Sequence, residues 1–302
     1  MLRLDPTSLN LFVRVIEEGT ITAAADREHI AAAAVSKRMS ELEFTLRTPL
    51  LMRTNKGVEA TAAGFALLAM ARRVLHELDQ IPVQMQNYQS GVRGIVRVCA
   101  SMSAITQFLP ADIRSFMREY PDVQVQLEEK ASGAVTKSVA ENAADLGIYT
   151  ATPHGQQLET FPYHCDRLVL CVPTGHALAN RCSLAFVEAL DEELVSMATG
   201  SAINIQLVRA ASEAGRPLNV RIQVTSFDAL CMMISSGLGV GVLPEAIARR
   251  NAATMDIQLI KLTDPWASRQ FNICVRSAES LPVAASLLVK HLHGAIDTTT
   301  HP

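Results

Sequence analysis

The hydrophobic period of this sequence changes once, and the change divides the chain. Up to about Ser90-Gly91, apolar residues recur every three or four positions; beyond it, short β-branched runs alternate with helical stretches. The first texture belongs to amphipathic helices and the second to strands linked by helices in a parallel sheet. The expected fold class is α/β multidomain. A length of 302 residues leaves room for two domains at roughly 150 residues each.

In the N-terminal part, Asp5-Pro6 starts a helix, with a capping carboxylate and a proline at the first helical position. Leu9, Phe12, Val13 and Ile16 form one apolar face, and Gly19 ends the helix. Thr22 is placed to cap a short second helix through Glu28. After a turn at His29-Ile30, Val35, Met39, Leu42 and Leu46 define a third helix that stops near Thr48-Pro49. Two helices joined by a tight turn and packed on a first make a helix-turn-helix arrangement. From Thr61 to about Gln89 the pattern predicts one long helix, with Leu68, Ala71, Leu75, Leu78, Pro82 and Met85 at heptad-like spacing. Because the first 57 residues close a core of their own, Leu68, Leu75 and Leu78 are read as a dimerisation seam rather than intradomain packing. Pro82 should kink or break this helix.

Charge becomes informative where it is local. The net charge of -3 excludes a globally basic nucleic-acid binder, yet permits a basic patch. Between Ala31 and Gly57 stand Lys37, Arg38, Arg47, Arg53 and Lys56 against only Glu41 and Glu43. Positive charge on the last helix of a helix-turn-helix and on the loop after it engages DNA phosphate. The bland alternative is a solvated helix face; the turn geometry favours DNA.

Hydrophobic residues at 49% and charged residues at 19% provide for buried cores. The start, MLRLDPTSLN, lacks the apolar core of a signal peptide, and the apolar stretch Ala229 to Pro244 is too short and interrupted to span a bilayer. A cytoplasmic protein without a membrane partner is expected. Its six cysteines (Cys99, Cys165, Cys171, Cys182, Cys231 and Cys274) show no CxxC spacing and read as reduced, mostly buried thiols; a Cys165–Cys171 switch is the alternative. His291 and His293 would point to different faces of a helix, so no metal site is expected.

Further residues carry a resemblance. Phe12-Val13, Gly19-Thr20-Ile21-Thr22-Ala23-Ala24-Ala25, Val35-Ser36-Lys37-Arg38, Leu42-Glu43, Thr48 to Thr54 and Thr61-Ala62-Ala63-Gly64 resemble the LysR-type transcriptional regulators. Phe108-Leu109-Pro110, Tyr120-Pro121, Ala144 to Ile148 and Gly237 to Pro244 continue the likeness. The resemblance implies a winged helix-turn-helix DNA-binding domain (1–60), a linker and dimerisation helix (61–90) and a two-lobed effector-binding domain like the periplasmic binding proteins (91–302). Lobe I would comprise about 91–164 and 268–302, and lobe II about 165–267. By the same likeness Thr22, Ala32, Ser36, Lys37 and Arg38 face DNA, and Arg53 with Lys56 lies in the wing. One departure is Ala31 to Ala34, where relatives begin the recognition helix with polar residues. The run removes a side-chain cap, worth ~1 kcal/mol, and a base reader, although alanine can still touch a thymine methyl.

In the second half, hydroxyls cluster where strands hand over to helices: Ser101 and Ser103, before a helix ending near Tyr120, then Ser132, Thr199, Ser201 and Ser226. Each alone reads as a helix cap; together they suit an anion-binding cleft beyond the carboxyl ends of strands. The likeness places all six around the effector cleft, with crossover segments near Pro162 to Arg167 and Pro265 to Gln270. Gly237-x-Gly239-x-Gly241 follows a helix and precedes a strand, the reverse of a dinucleotide fingerprint, so no cofactor is implied. No GxSxG, HExxH or phosphate loop occurs, and no catalytic residue is assigned. The expected function is a sequence-specific DNA-binding transcriptional regulator, a homodimer or homotetramer, modulated by a small anionic or carboxylate effector. A small-molecule-binding protein or an enzyme on the two-lobed fold is the alternative, disfavoured by the helix-turn-helix.

Overall fold

The structure, a computed structural model, describes residues 4–54, 57–90, 92–150 and 158–294. The chain forms two units, Met1–Arg93 with Glu141–Ala143, and Gly94–Ala140 with Ala144–Pro302.

The first unit opens with α1 (Pro6–Glu18), where Asp5 accepts from the amides of Thr7 and Ser8 and Gly19 closes the helix at φ 71°. In α2 (Ile21–Arg27) the cap is Thr20, not Thr22. The Thr20 backbone is extended, so its hydroxyl accepts from the Ala23 amide at 3.1 Å, whereas Thr22 already sits inside the first turn. Helix α3 (Ala32–Leu46) follows Ala31, which offers no side-chain cap. Strands β1 (Leu51–Thr54) and β2 (Gly57–Ala60) pair antiparallel from Leu51↔Ala60 to Thr54↔Gly57 and form a wing.

Helix α4 (Ala62–Ser90) begins where the Thr61 hydroxyl accepts from the Gly64 amide at 3.0 Å. Gly64 has to be glycine, since a Cβ there would lie 2.1 Å from the Leu50 carbonyl oxygen. Pro82 does not break α4. The helix continues to Ser90 and forgoes the one hydrogen bond that proline cannot donate. The core joins Leu9, Phe12 and Val15 of α1 to Ala24, Val35, Met39 and Leu42, and also to Leu67, Leu68 and Ala71 of α4.

The second unit runs β3 (Gly94–Ala100), α5 (Met102–Gln107), α6 (Leu109–Glu119), β4 (Val123–Glu129), α7 (Ser132–Ala140) and β5 (Leu146–Thr150). The single helix expected from Ser103 to Tyr120 is two, because Pro110 lacks an amide proton and starts a new helix. Then come β6 (Glu159–Pro173), β7 (Ser183–Leu184), β8 (Leu194–Met197), α8 (Ala202–Glu213), β9 (Val220–Val224) and α9 (Phe227–Ser235). The unit closes with β10 (Gly241–Pro244), α10 (Glu245–Ala252), β11 (Ile257–Leu262), β12 (Ser268–Val275) and α11 (Val283–Gly294).

The sheet is mixed rather than wholly parallel. β4, β3 and β5 run parallel, but β12 pairs antiparallel with both β5 and β6. The long β6 is the reason for the mixture. Its first part pairs with β12, and its apolar end, Leu168 to Pro173, pairs antiparallel with β10 and β11. Strands β8 and β9 pair parallel with each other. The Gly237–Gly241 segment joins α9 to β10, and Gly239 passes the Glu193 carbonyl where a Cβ would come within 2.4 Å.

Candidate functional site

In α3, Val35, Met39 and Leu42 are buried, so the opposite face, with Ala33, Lys37, Ser40 and Phe44, looks outward. Ala32 is exposed in the first turn, and Thr22 is exposed on α2. Lys37 extends into solvent with Glu41 at 3.8 Å. Arg38 lies to one side, where Nη1 donates to Asp5 Oδ2 at 2.7 Å and to the Ser8 hydroxyl at 3.2 Å, tying α3 to the start of α1. Ser36 is half-buried beside a cavity of about 70 Å³ that Glu43 and Val58 also line. Glu43 is structural, because Oε1 accepts from the amides of Leu50 and Leu51 at 2.7 and 3.0 Å and anchors the wing. Arg53 lies on β1; its side chain and all of Lys56 are outside the described residues.

The dimerisation residues divide. Leu68 is only 7% exposed, and Leu75 packs half-buried on the same core, so both meet their own unit first. A heptad stripe records that a helix is covered and not by which partner; here the wing and α1 cover it. Leu78 is exposed, and with Met70, Val74 and Ile81 it makes an outward apolar stripe at steps of four, four and three residues.

In the second unit, a cavity of about 250 Å³ takes in Ser101, Ser103, Ser132, Thr199 and Ser201. The strand-to-helix turns bring these five together. Ser226 does not line the cavity; its hydroxyl accepts from the Ala229 amide at 3.2 Å and caps α9, while Thr225 and Phe227 on either side form the wall. Ser201 both lines the cavity and caps α8, accepting from Asn204 N at 3.1 Å.

The Ser101 hydroxyl is buried and has no hydrogen-bond partner among the described residues. A buried hydroxyl without a partner costs free energy that a ligand group or water can recover. Ser103 Oγ accepts from Arg269 Nη2 at 3.4 Å, Ser132 and Thr150 share a 3.4 Å contact, and Gln223 Nε2 donates to Thr199 Oγ1 at 3.2 Å. Sequence reasoning missed Met102, Glu129, Lys130, Thr150, Met197, Ile203, Thr225 and Phe227. Glu129 ends β4 and Lys130 follows it, at the kind of turn that singled out Ser132. The apolar ones carry the same sequence pattern as core residues.

The cysteines sort by burial. Cys99, Cys171, Cys231 and Cys274 are buried, and burial pushes the Cys231 thiol up to about 11 and the Cys274 thiol up to about 12. Cys165 is exposed, and it stands six residues from Cys171 along the one strand β6, a separation of ~20 Å at strand rise. Those two sulfurs cannot form a disulfide without dismantling the strand. No group of three His, Cys, Asp or Glu side chains suited to a metal occurs among the described residues, and no helix among them is long and apolar enough to cross a membrane.

Comparison with known proteins agrees with this anatomy. Residues 6–65 match the family model described as bacterial regulatory helix-turn-helix protein, lysR family, and residues 89–297 match the LysR substrate binding domain. The chain is 24% identical over 285 residues to the transcriptional regulator AlsR of Bacillus subtilis, covering 94% of this chain and 92% of AlsR. A full-length OxyR variant from Pseudomonas aeruginosa shares the fold, with a TM-score of 0.74 at 22% identity over 96% of this chain and 95% of that one. So does full-length CbnR, solved with its target DNA, with a TM-score of 0.67 at 21% identity over 97% and 100%. With a winged helix-turn-helix in the first unit, a hydroxyl-lined cavity in the second and both family models matched, this chain belongs to the LysR family of DNA-binding transcriptional regulators with an effector-binding domain.

Proposed function

We propose that this regulator reads operator DNA as a homodimer or homotetramer in the cytoplasm and answers to a small carboxylate or other anion held in the 250 Å³ cavity. It performs no catalysis. The parts divide as 1–60 for DNA, 61–90 for the linker and 91–302 for the effector, with 91–164 and 268–302 as lobe I and 165–267 as lobe II. The exposed face of α3, with Ala32 and Ser36 beside it, enters the major groove. Lys37, Arg38, Arg53 and Lys56 meet phosphate, and Thr22 approaches the DNA from α2. With methyl groups at the front of α3, base readout narrows to thymine methyls, and phosphate contacts carry more of the affinity. Copies pair through Met70, Val74, Leu78 and Ile81. The DNA roles rest on family likeness, joined by exposure for Thr22, Ala32 and Lys37, and the pairing stripe rests on exposure alone.

The observation that carries the effector reading is the unpartnered Ser101 hydroxyl, on a residue lining the same cavity as helix starts that favour negative charge. The test is operator binding by the full-length protein, with and without a panel of metabolite carboxylates. Ser101→Ala should remove the ligand response and leave ligand-free DNA affinity intact. An undiminished response in Ser101→Ala would move the effector site elsewhere.

A further inference from the structure

The cavity presents unbalanced charge of both signs. Helices α7, α8 and α9, of nine, twelve and nine residues, start at its wall. Their first turns carry the positive end of the dipole, with Asn204 N of α8 and Ala229 N of α9 already capped by the Ser201 and Ser226 hydroxyls. Ser101, 6% exposed and without a hydrogen-bond partner, adds a donor on the same wall. These features call for a carboxylate.

The opposite sign comes from Glu129, at the end of β4. It lines the cavity, is exposed, and makes no ion pair or side-chain hydrogen bond among the described residues. The neighbouring Lys130 cannot neutralise it cheaply, because its ammonium group already meets Glu128 Oε2 at 3.0 Å and the Ser138 hydroxyl at 3.0 Å. Among the described residues no arginine lines the cavity. A bare carboxylate would satisfy the helix starts and lie against an uncompensated Glu129; a ligand bearing an ammonium group as well would satisfy both.

We propose that the effector is a zwitterion of the α-amino acid class, with its carboxylate at Ser101 and the helix starts and its ammonium group at Glu129. The proposal rests on reading this cavity as the effector site. A volume of about 250 Å³ falls below the ~300–1,000 Å³ of pockets for drug-sized ligands and fits a metabolite of amino-acid size. Met102, Met197 and Phe227 offer apolar wall for its side chain.

The experiment uses the full-length protein. The common L-amino acids are screened by thermal shift, and each hit is compared by calorimetry with its 2-hydroxy acid, which keeps the carboxylate and lacks the amine. At least one amino acid should raise the melting temperature, and its hydroxy acid should bind about tenfold more weakly or worse. Glu129→Gln should erase that preference, and Glu129→Lys should reverse it. Failure of every amino acid to stabilise the protein, or a preference that survives Glu129→Gln, would overturn the proposal. Ser101→Ala separates the two levels. If it weakens hydroxy-acid binding while the amine makes no difference, the zwitterion is wrong and the cavity stands. Binding insensitive to both Ser101→Ala and Glu129→Gln sinks the cavity reading as well.

Discussion

Arg269 and Asp166 face each other across β12 and β6, paired in register, with the guanidinium Nε donating to Oδ1 at 2.8 Å. Both side chains are more than nine-tenths buried. Gln107 of α5 donates to the same carboxylate at 2.9 Å, and Arg269 Nη2 reaches the cavity-lining Ser103. The pair thus sits where the two long strands and the first cavity helix meet. Removing one partner of a buried pair leaves the other charge stranded, at about 3–5 kcal/mol. Asp166→Ala should therefore lower the stability of the second unit by that amount in urea denaturation, and the double variant Asp166→Leu/Arg269→Met should recover much of it. A loss below ~1 kcal/mol for Asp166→Ala would show that water reaches the arginine.

Lys37 is the described basic residue of α3 most open to DNA. Lys37→Ala should flatten the slope of log affinity against log salt by about one unit for each phosphate that the side chain no longer neutralises. Arg38→Ala should additionally loosen the link to Asp5 and Ser8, at ~0–1 kcal/mol for an exposed pair. Salt titration of operator binding measures the first effect, and thermal denaturation the second.

Leu75 and Ile81 should behave oppositely, although they lie on one helix. Leu75→Glu puts a charge on the half-buried flank of the first unit's core and should destabilise it by ~1–3 kcal/mol. Ile81, 54% exposed, tolerates a charge in the single chain, so Ile81→Glu should dissociate the oligomer and leave the unit folded. Sedimentation of both variants, beside their melting curves, makes the distinction. An Ile81→Glu protein that still sedimented as an oligomer would place the interface off this stripe.

Asp112 supplies a pH dependence. Burial raises its carboxyl, but hydrogen bonds from His164 and Tyr163, with the charges of His164 and His291, outweigh burial and hold it below the ordinary 3.8. A carboxylate with a depressed folded-state pKa contributes stability above its unfolded value and loses it as pH falls through the folded value. The wild type should thus lose stability progressively below about pH 4, and Asp112→Asn should start lower and show a shallower acid limb in denaturation at a series of pH values.

Local signals made part of this fold legible. Asp5-Pro6 and Gly19 marked the ends of α1, and β-branched runs marked β3, β5 and β11. Strand β6 was legible only from Leu168 onward. Its first nine residues, Glu159 to Arg167, mix charges, aromatics and Pro162, and they are strand because β12 pairs with them. The Ser226 expectation shows the resolution of such reading. A strand-to-helix turn was located correctly, but which residue caps and which faces the cavity depends on backbone direction over one residue, for which hydroxyl chemistry carries no signal. The cavity's methionines and phenylalanine were invisible for a related reason, since apolar side chains around a void follow the same periodicity as those around a core.

The two long strands also define where this protein can be cut. Everything between Arg167 and Ser268 leaves through β6 and returns through β12, and those two residues are themselves register partners. The intervening stretch is therefore one contiguous cassette whose ends lie side by side, and a two-residue hairpin turn could replace it. A gene lacking that cassette would still encode every strand from β3 to β5 together with the paired portions of β6 and β12. In this architecture a regulator could exchange half of its ligand-facing surface in a single recombination event while keeping its DNA-reading domain untouched.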